Sequence, residues 1–187
     1  MITTTTGSFL RVFVDDRPDA PLLETADGER IAQELNAVGV RFERWSADAE
    51  LPHGASQDDV LRAYSSAIDR LKTECGYATA DVIRVERGAG NIEALRAKFL
   101  DEHRHAEDEV RFFVEGRASF YLHLNERVYQ VVCARGDLIS VPADTKHWFD
   151  MGPDPEFAVV RLFTNPEGWI AQYTGDTIAQ QFPKFES

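Results

Sequence analysis

The stretch Phe99-Leu-Asp-Glu-His-Arg-His-Ala-Glu-Asp-Glu-Val-Arg-Phe-Phe-Val-Glu-Gly116 divides the chain. It places His103, His105 and Glu109 within seven residues of one another. From residue 103 onward the pattern changes to short apolar runs separated by turn residues. A fourth donor, His147, follows in Val141-Pro-Ala-Asp-Thr-Lys-His-Trp-Phe149. Three imidazoles and a carboxylate are the usual donors for a divalent first-row transition metal. The chain has five histidines, and three of them fall at these positions.

Downstream of the stretch the expected strands are Val110–Val114, Ala118–His123, Val128–Val132, Leu138–Val141 and Phe157–Phe163. The turns between them are expected at Glu115-Gly116-Arg117, Asn125-Glu126-Arg127 and Ala134–Asp137, with Pro142 ending the fourth strand. Strands spaced by about ten residues predict an antiparallel sandwich or small barrel. Residues 164–187 hold Trp169, Tyr173, Ile178, Phe182 and Phe185 in a polar background, and this tail is expected to lie against the barrel.

Upstream, Ser8–Val14 and Val40–Trp45 read as strands around a short helix, Thr25–Asn36, closed by Gly39. Residues 46–56 read as a linker. Asp58–Cys75 is the best helix in the chain: Val60, Leu61, Tyr64, Ala67, Ile68 and Leu71 keep a 3.6-residue period, Ser56 caps it and Gly76 closes it. Such a helix needs an apolar sheet beneath it. Asp81–Val85 reads as a strand, Gly88 and Gly90 as a turn, and Ile92–Phe99 as a short helix. The 187 residues are expected to form one domain. A mixed α/β portion (1–98) packs on a metal-binding barrel core (99–163), and a C-terminal tail (164–187) follows.

The net charge of −12, with 32 acidic against 20 basic residues, argues against nucleic acid or anionic lipid as a partner. No run of 18 apolar residues is present, so no transmembrane helix is expected. Met1–Gly7 lacks the basic region and apolar stretch of a signal peptide. Cys75 and Cys133 are isolated, which fits a reducing cytoplasm, the expected location. Nothing demands a partner chain, so a monomer is expected.

In a strand His103 and His105 face one side, and a turn between His105 and Glu109 lets the carboxylate join them. The plainer reading of these residues is a solvated acidic edge, and His147 weighs against it. A different arrangement, His105, Glu107 and His147 as a facial triad, leaves His103 and Glu109 unexplained. His123 alternates with Phe120 and Leu122, has no matching carboxylate spacing, and reads as structural. His53 sits in a polar loop and receives no role. If Glu109 points inward, strand alternation takes Arg111 with it, and Val159, Arg161 and Phe163 share a face of another strand. An inward arginine needs an anion: either a carboxylate of the chain or an oxygen-rich substrate. Phe99, Phe149 and Trp169 are candidates for an apolar wall. Glu102 is a candidate either for a base near the site or for orienting a ligand's second ring nitrogen.

At this point the chain resembles the cupins, and more narrowly the acireductone dioxygenases of methionine salvage. His103-x-His105-x3-Glu109-x6-Gly116 matches the first cupin motif, and Gly136-x5-Pro142-x4-His147 matches most of the second. Ala97 and Asp144 stand where these motifs often have glycine, and Met151 where asparagine is usual. The narrower resemblance runs from Asp27–Trp45 through Phe99–Phe112 and Pro142–Phe149 to Val160–Phe163 and Gly168-Trp169. It implies a mainly β fold with flanking helices, the cupin double-stranded β-helix or jelly-roll barrel. It implies that His103, His105, Glu109 and His147 hold one Fe(II) or Ni(II) per chain. It also implies that Arg111 and Arg161 face the substrate near Phe99, Phe149 and Trp169.

Four protein donors on an octahedral metal leave two positions, which suits a chelate through neighbouring oxygens, as in an enediol beside a ketone. The implied partners are a small-molecule acireductone and O2. With Fe(II), such enzymes convert 1,2-dihydroxy-3-keto-5-methylthiopentene to 2-keto-4-methylthiobutyrate and formate. With Ni(II), they yield methylthiopropionate, formate and carbon monoxide. The alternatives are another cupin oxygenase or isomerase, or a non-catalytic small-molecule binding barrel.

Overall fold

The computed structural model describes residues 7–186. Met1–Thr6, on which most of the signal-peptide reading falls, lies outside the described residues. In chain order the elements are β1 (Phe9–Val14), β2 (Leu23–Thr25), α1 (Gly28–Asn36), β3 (Arg41–Arg44), α2 (Gln57–Ala63), α3 (Ser65–Cys75), β4 (Thr79–Val85) and α4 (Ile92–Leu100). They continue as β5 (His103–Arg104), β6 (Glu109–Leu124), β7 (Arg127–Ala134), β8 (Asp137–Val141), β9 (Lys146–Asp150), β10 (Phe157–Phe163) and β11 (Gln172–Tyr173).

Every strand pair is antiparallel. One path runs β11-β5-β9-β6-β7-β1-β2; on the other side, β6 pairs with β8 and β10, which carry β3 and β4. The N-terminal half therefore does more than cover the barrel. It contributes β1, β3 and β4 to the hydrogen-bonded walls.

The longest strand, β6, serves both walls. Its first part pairs with β8 and β10, and residues from Arg117 onward pair with β7 and β9. The turn expected at Glu115-Gly116-Arg117 is instead a bend inside one 16-residue strand. Glu115 and Gly116 continue the ladder opposite Ala158 and Phe157, so the chain cannot reverse there. Gly116 takes φ +66, and a Cβ on it would lie 1.9 Å from the Glu156 carbonyl oxygen. Only glycine fits such a position.

The register also slips by one residue between Ala158 and Val159, leaving Val114 as an extra residue in β6. That single insertion reverses the side-chain parity. Phe113 faces the inner core while Phe112 packs outward, but beyond the bulge Ala118, Phe120 and Leu122 face inward and Tyr121 outward. The next turn matches the expectation: Asn125 and Glu126 both have positive φ, the backbone of a two-residue hairpin.

The long helix splits in two at Tyr64, whose φ of −107° and ψ of 15° leave the helical region. The break seats the Tyr64 ring edge-on to Phe112 at 5.1 Å. Val60, Tyr64, Ile68 and Leu71 then cover Val110, Phe112, Val114 and Val160 on the outer face of the sheet. Ser56 caps α2 and Gly76 closes α3, as read from the sequence. The first helix begins later than expected, at Gly28, because Thr25 pairs with Leu10 and Asp27 caps the helix by accepting from Arg30 N–H. The tail packs Ile178 and Phe182 against Phe13, Tyr121 and Trp148. Among the described residues no helix is long and apolar enough to cross a membrane.

Candidate metal centre

Two short strands carry the histidines. His103 on β5 lies directly opposite His147 on β9. His105 follows in the loop after β5, where its carbonyl accepts from Asp144 N–H at 2.8 Å. Asp144, where the second cupin motif often has glycine, has φ +60, which a short polar residue tolerates. β9 is absent from the expected strands because its apolar run is short, yet it positions His147. The ring centroids of His103, His105 and His147 lie 4.6 to 5.2 Å apart. One ligand atom from each falls within 4.8 Å of the others, and all three side chains are buried.

Glu109 opens β6 beside them. Its Oε2 lies 2.8 Å from His147 Nε2 and 3.4 Å from His105 Nε2. Its Oε1 accepts from Arg111 Nη2 at 2.7 Å. The Nδ1 atoms of His103 and His147 each lie 2.7 Å from a backbone carbonyl oxygen, of Asp101 and Thr145. A carbonyl only accepts, so both Nδ1 atoms donate, and neutral rings present the Nε2 lone pair. His147 Nε2 and the Glu109 carboxylate thus face each other at 2.8 Å, close enough to share one cation. The donor set fits a divalent transition metal. Burial, aided by His147, pushes His103 down to about 4, which keeps it neutral. Burial works to raise the Glu109 pKa, but Arg111, His105 and His147 outweigh it and hold the carboxyl well below its usual range.

His103, His105 and Glu109 end a cavity of about 270 Å³, and His147 lies against Glu109. Phe99, Phe149, Trp169, Arg111 and Arg161 all line it, so the residues expected at the substrate meet there. Phe99 and Phe149 meet edge-on at 6.4 Å. The Arg111 guanidinium lies 4.4 Å and that of Arg161 5.1 Å from the Trp169 ring centre. Both arginines also have carboxylate partners within the chain, Glu109 and Asp81. The sequence reading missed Ile83, Val85, Met151, Phe157 and Val159 as further wall residues. Alternation along β4 and β10 is the signal that could have found four of them.

Two expectations need correction. Glu107 is outside the histidine cluster, whereas Glu109 reaches two of its rings, which favours the four-donor arrangement over the alternative triad. Glu102 is fully buried and is not among the cavity-lining residues. Its Oε2 accepts from His123 Nδ1 at 2.6 Å and its Oε1 from Thr174 Oγ1 at 2.8 Å. Of the ring nitrogens it was expected to orient, His103 Nδ1 bonds the Asp101 carbonyl and His105 Nδ1 is buried without a partner in the protein. His123, read as lacking a carboxylate partner, has two: Glu102, and Asp15 at 3.3 Å from Nε2. They are 21 and 108 residues away in sequence, beyond the reach of any spacing rule.

The chain is similar to known proteins over nearly its whole length. It is 56% identical over 179 residues to an acireductone dioxygenase of Hahella chejuensis, covering 96% of each chain. It is 58% identical over 179 residues to an acireductone dioxygenase of Pseudomonas aeruginosa (strain UCBPP-PA14), covering 96% of this chain and 99% of the relative. Among solved structures, an acireductone dioxygenase from Bacillus anthracis with a cadmium ion in its active centre superposes with a TM-score of 0.80 at 26% identity. The match covers 91% of this chain and all of that one. The jelly-roll barrel implied by the sequence is the fold observed. The family model for the ARD/ARD′ family matches residues 10–171, and the chain belongs to that family.

Proposed function

We propose that this protein is a metal-dependent dioxygenase that cleaves 1,2-dihydroxy-3-keto-5-methylthiopentene with O2. One observation carries the reading: three imidazoles and a carboxylate converge beside a cavity whose other walls carry guanidinium, aromatic and aliphatic side chains. His103, His105, His147 and Glu109 are the metal donors. A divalent ion held there supplies Lewis acidity to a pair of enediolate oxygens.

The chain's own groups do the rest. Arg111 Nη1 is buried without an acceptor in the protein, so it is available to an anionic oxygen. Glu109 holds Arg111 by the other nitrogen and thereby fixes its position. Arg161 adds positive charge beside Trp169. Phe99, Phe149 and Trp169 exclude water and receive the apolar end of the substrate. Glu102, pinned by His123 and Thr174, anchors the segment that carries His103 and His105 rather than serving as a base. Fe(II) and Ni(II) are the proposed ions. The products with Fe(II) are 2-keto-4-methylthiobutyrate and formate; with Ni(II) they are methylthiopropionate, formate and carbon monoxide. A monomer in the cytoplasm is the proposed setting. Neither Cys75 nor Cys133 is in a disulfide, which agrees with a reducing compartment.

The test is to strip the protein of metal, reload separate samples with each ion, and follow oxygen uptake and products against a protein-free blank. Formate and keto acid from the iron sample, and carbon monoxide from the nickel sample alone, are expected. No rate above the blank in either sample, with one metal bound per chain, overturns the dioxygenase reading.

A further inference from the structure

Three adjacent strands carry charge in a row. Across β4, β10 and β6, Asp81 is the direct partner of Arg161, and Arg161 of Arg111. Alternation puts Asp81 on the same face of β4 as Ile83 and Val85, which line the cavity. Arg161 donates Nε to Asp81 Oδ1 at 2.7 Å and Nη2 to Asp81 Oδ2, a two-pronged pair. Arg111 donates Nη2 to Glu109, and its Nη1 has no protein acceptor.

Two guanidinium groups therefore press on one indole, Trp169, and each has its own carboxylate. Like charges held this close need that compensation. Without Asp81, Arg161 would be left to repel Arg111 or to compete for Glu109, which is already bonded to Arg111 and faces the histidines.

We propose that Asp81 is a positioning residue for substrate binding: its two-pronged hold keeps Arg161 against Trp169 and away from Glu109, leaving Arg111 Nη1 to the anionic substrate. No sequence motif marks Asp81. The assignment rests on strand register and on the arginine geometry. It also rests on the dioxygenase reading above, and its test separates the two.

The experiment compares Asp81→Asn and Asp81→Glu with the wild type, each loaded with Fe(II), by oxygen uptake, metal content and tryptophan emission. Asp81→Asn is expected to raise KM for the acireductone about tenfold with kcat within about twofold. Its metal content should equal that of the wild type. Asp81→Glu should recover most of the loss. The emission of Asp81→Asn should shift, and the shift should vanish on a Trp169→Phe background. If the wild type shows no rate above the blank, the dioxygenase reading falls, and the emission comparison alone decides whether Asp81 places Arg161.

Should Asp81→Asn not fold, the double variant Asp81→Asn/Arg161→Gln removes both charges and keeps the test. It is expected to bind substrate no more weakly than Arg161→Gln alone. Unchanged KM and emission in Asp81→Asn, a joint loss of kcat and metal, no recovery in Asp81→Glu, or additive losses in the double variant would each overturn the proposal.

Discussion

The two ends of β6 both carry buried charge and treat it in opposite ways. At the Glu109 end, a carboxylate and a guanidinium sit beside three imidazoles and open into a cavity. At the other end, His123 lies between Glu102 and Asp15, both ring nitrogens facing carboxylate oxygens that can only accept. That ring is therefore an imidazolium, and the hydrogen bond to Glu102 is the main reason its pKa is raised. One residue type thus appears as a buried cluster beside a cavity and as a cationic strut within a single barrel. Surroundings decide: burial lowers the pKa of His103, and the Glu102 carboxylate raises that of His123. The bend and bulge between Val114 and Gly116 keep the two ends apart, since they turn opposite parities of the strand inward.

Glu109→Ala should break this contrast most severely. It removes a metal donor and leaves Arg111 buried beside Arg161 without its carboxylate. The expected result is oxygen uptake at the level of the blank, loss of bound metal, and a stability loss of roughly 3–5 kcal/mol in the metal-stripped protein. Retained metal, measured by elemental analysis, would remove Glu109 from the donor set.

Gly116→Ala attacks the boundary between the ends. The positive φ costs about 1–2 kcal/mol for an L-residue, and the clash with the Glu156 carbonyl adds to it. Denaturant unfolding should show a loss of about 3 kcal/mol or more. Gly88→Ala is the control: Gly88 also has a positive φ, +76, but a Cβ there meets nothing within 4 Å, and the variant should lose only about 1 kcal/mol. Equal losses in the two variants would show that only backbone strain matters at Gly116.

His123→Gln is the mildest change and sharpens the contrast. It leaves Glu102 and Asp15 without their cation, and a loss of about 1–3 kcal/mol is expected. Metal content should stay at the wild-type level. The pH profile is the finer readout. The His123 pKa is raised above 6.5, so its contribution is full below pH 6.5 and fades as pH rises through the folded-state value. Lys146, opposite it on β9, works slightly against the charge. For Glu102, burial works upward, but bonds from His123 and Thr174 lower its pKa below 4.5. Its share is present above pH 4.5 and fades as pH falls through the lowered value. Melting temperatures of the wild type should decline on the alkaline side of this window, and His123→Gln should abolish that decline. A variant with the wild-type profile would show that His123 is not the titrating group.

Much of the site was legible because its signals are local. His103, His105 and Glu109 sit within one short segment, and alternation carried the inference from Glu109 to Arg111. The hairpin at Asn125-Glu126 and the caps at Ser56 and Gly76 were legible for the same reason. Glu102 was misread because adjacency to His103 resembles a functional contact, yet neighbours in a strand point to opposite sides. Its partners, His123 on β6 and Thr174 just after β11, are distant in the sequence.

Taken alone, the sequence picked out the candidate donors, the strand-rich barrel, the helical cover and the inward arginine, mostly from local spacing. Tertiary structure decided that Gly116 bends rather than reverses the chain, that His123 is a strut, and that Asp81 meets Arg161. The reason is geometric. Covalent spacing sets which side chains share a face of one strand, whereas register between strands 20 to 100 residues apart sets which faces meet, and a one-residue bulge is enough to exchange them.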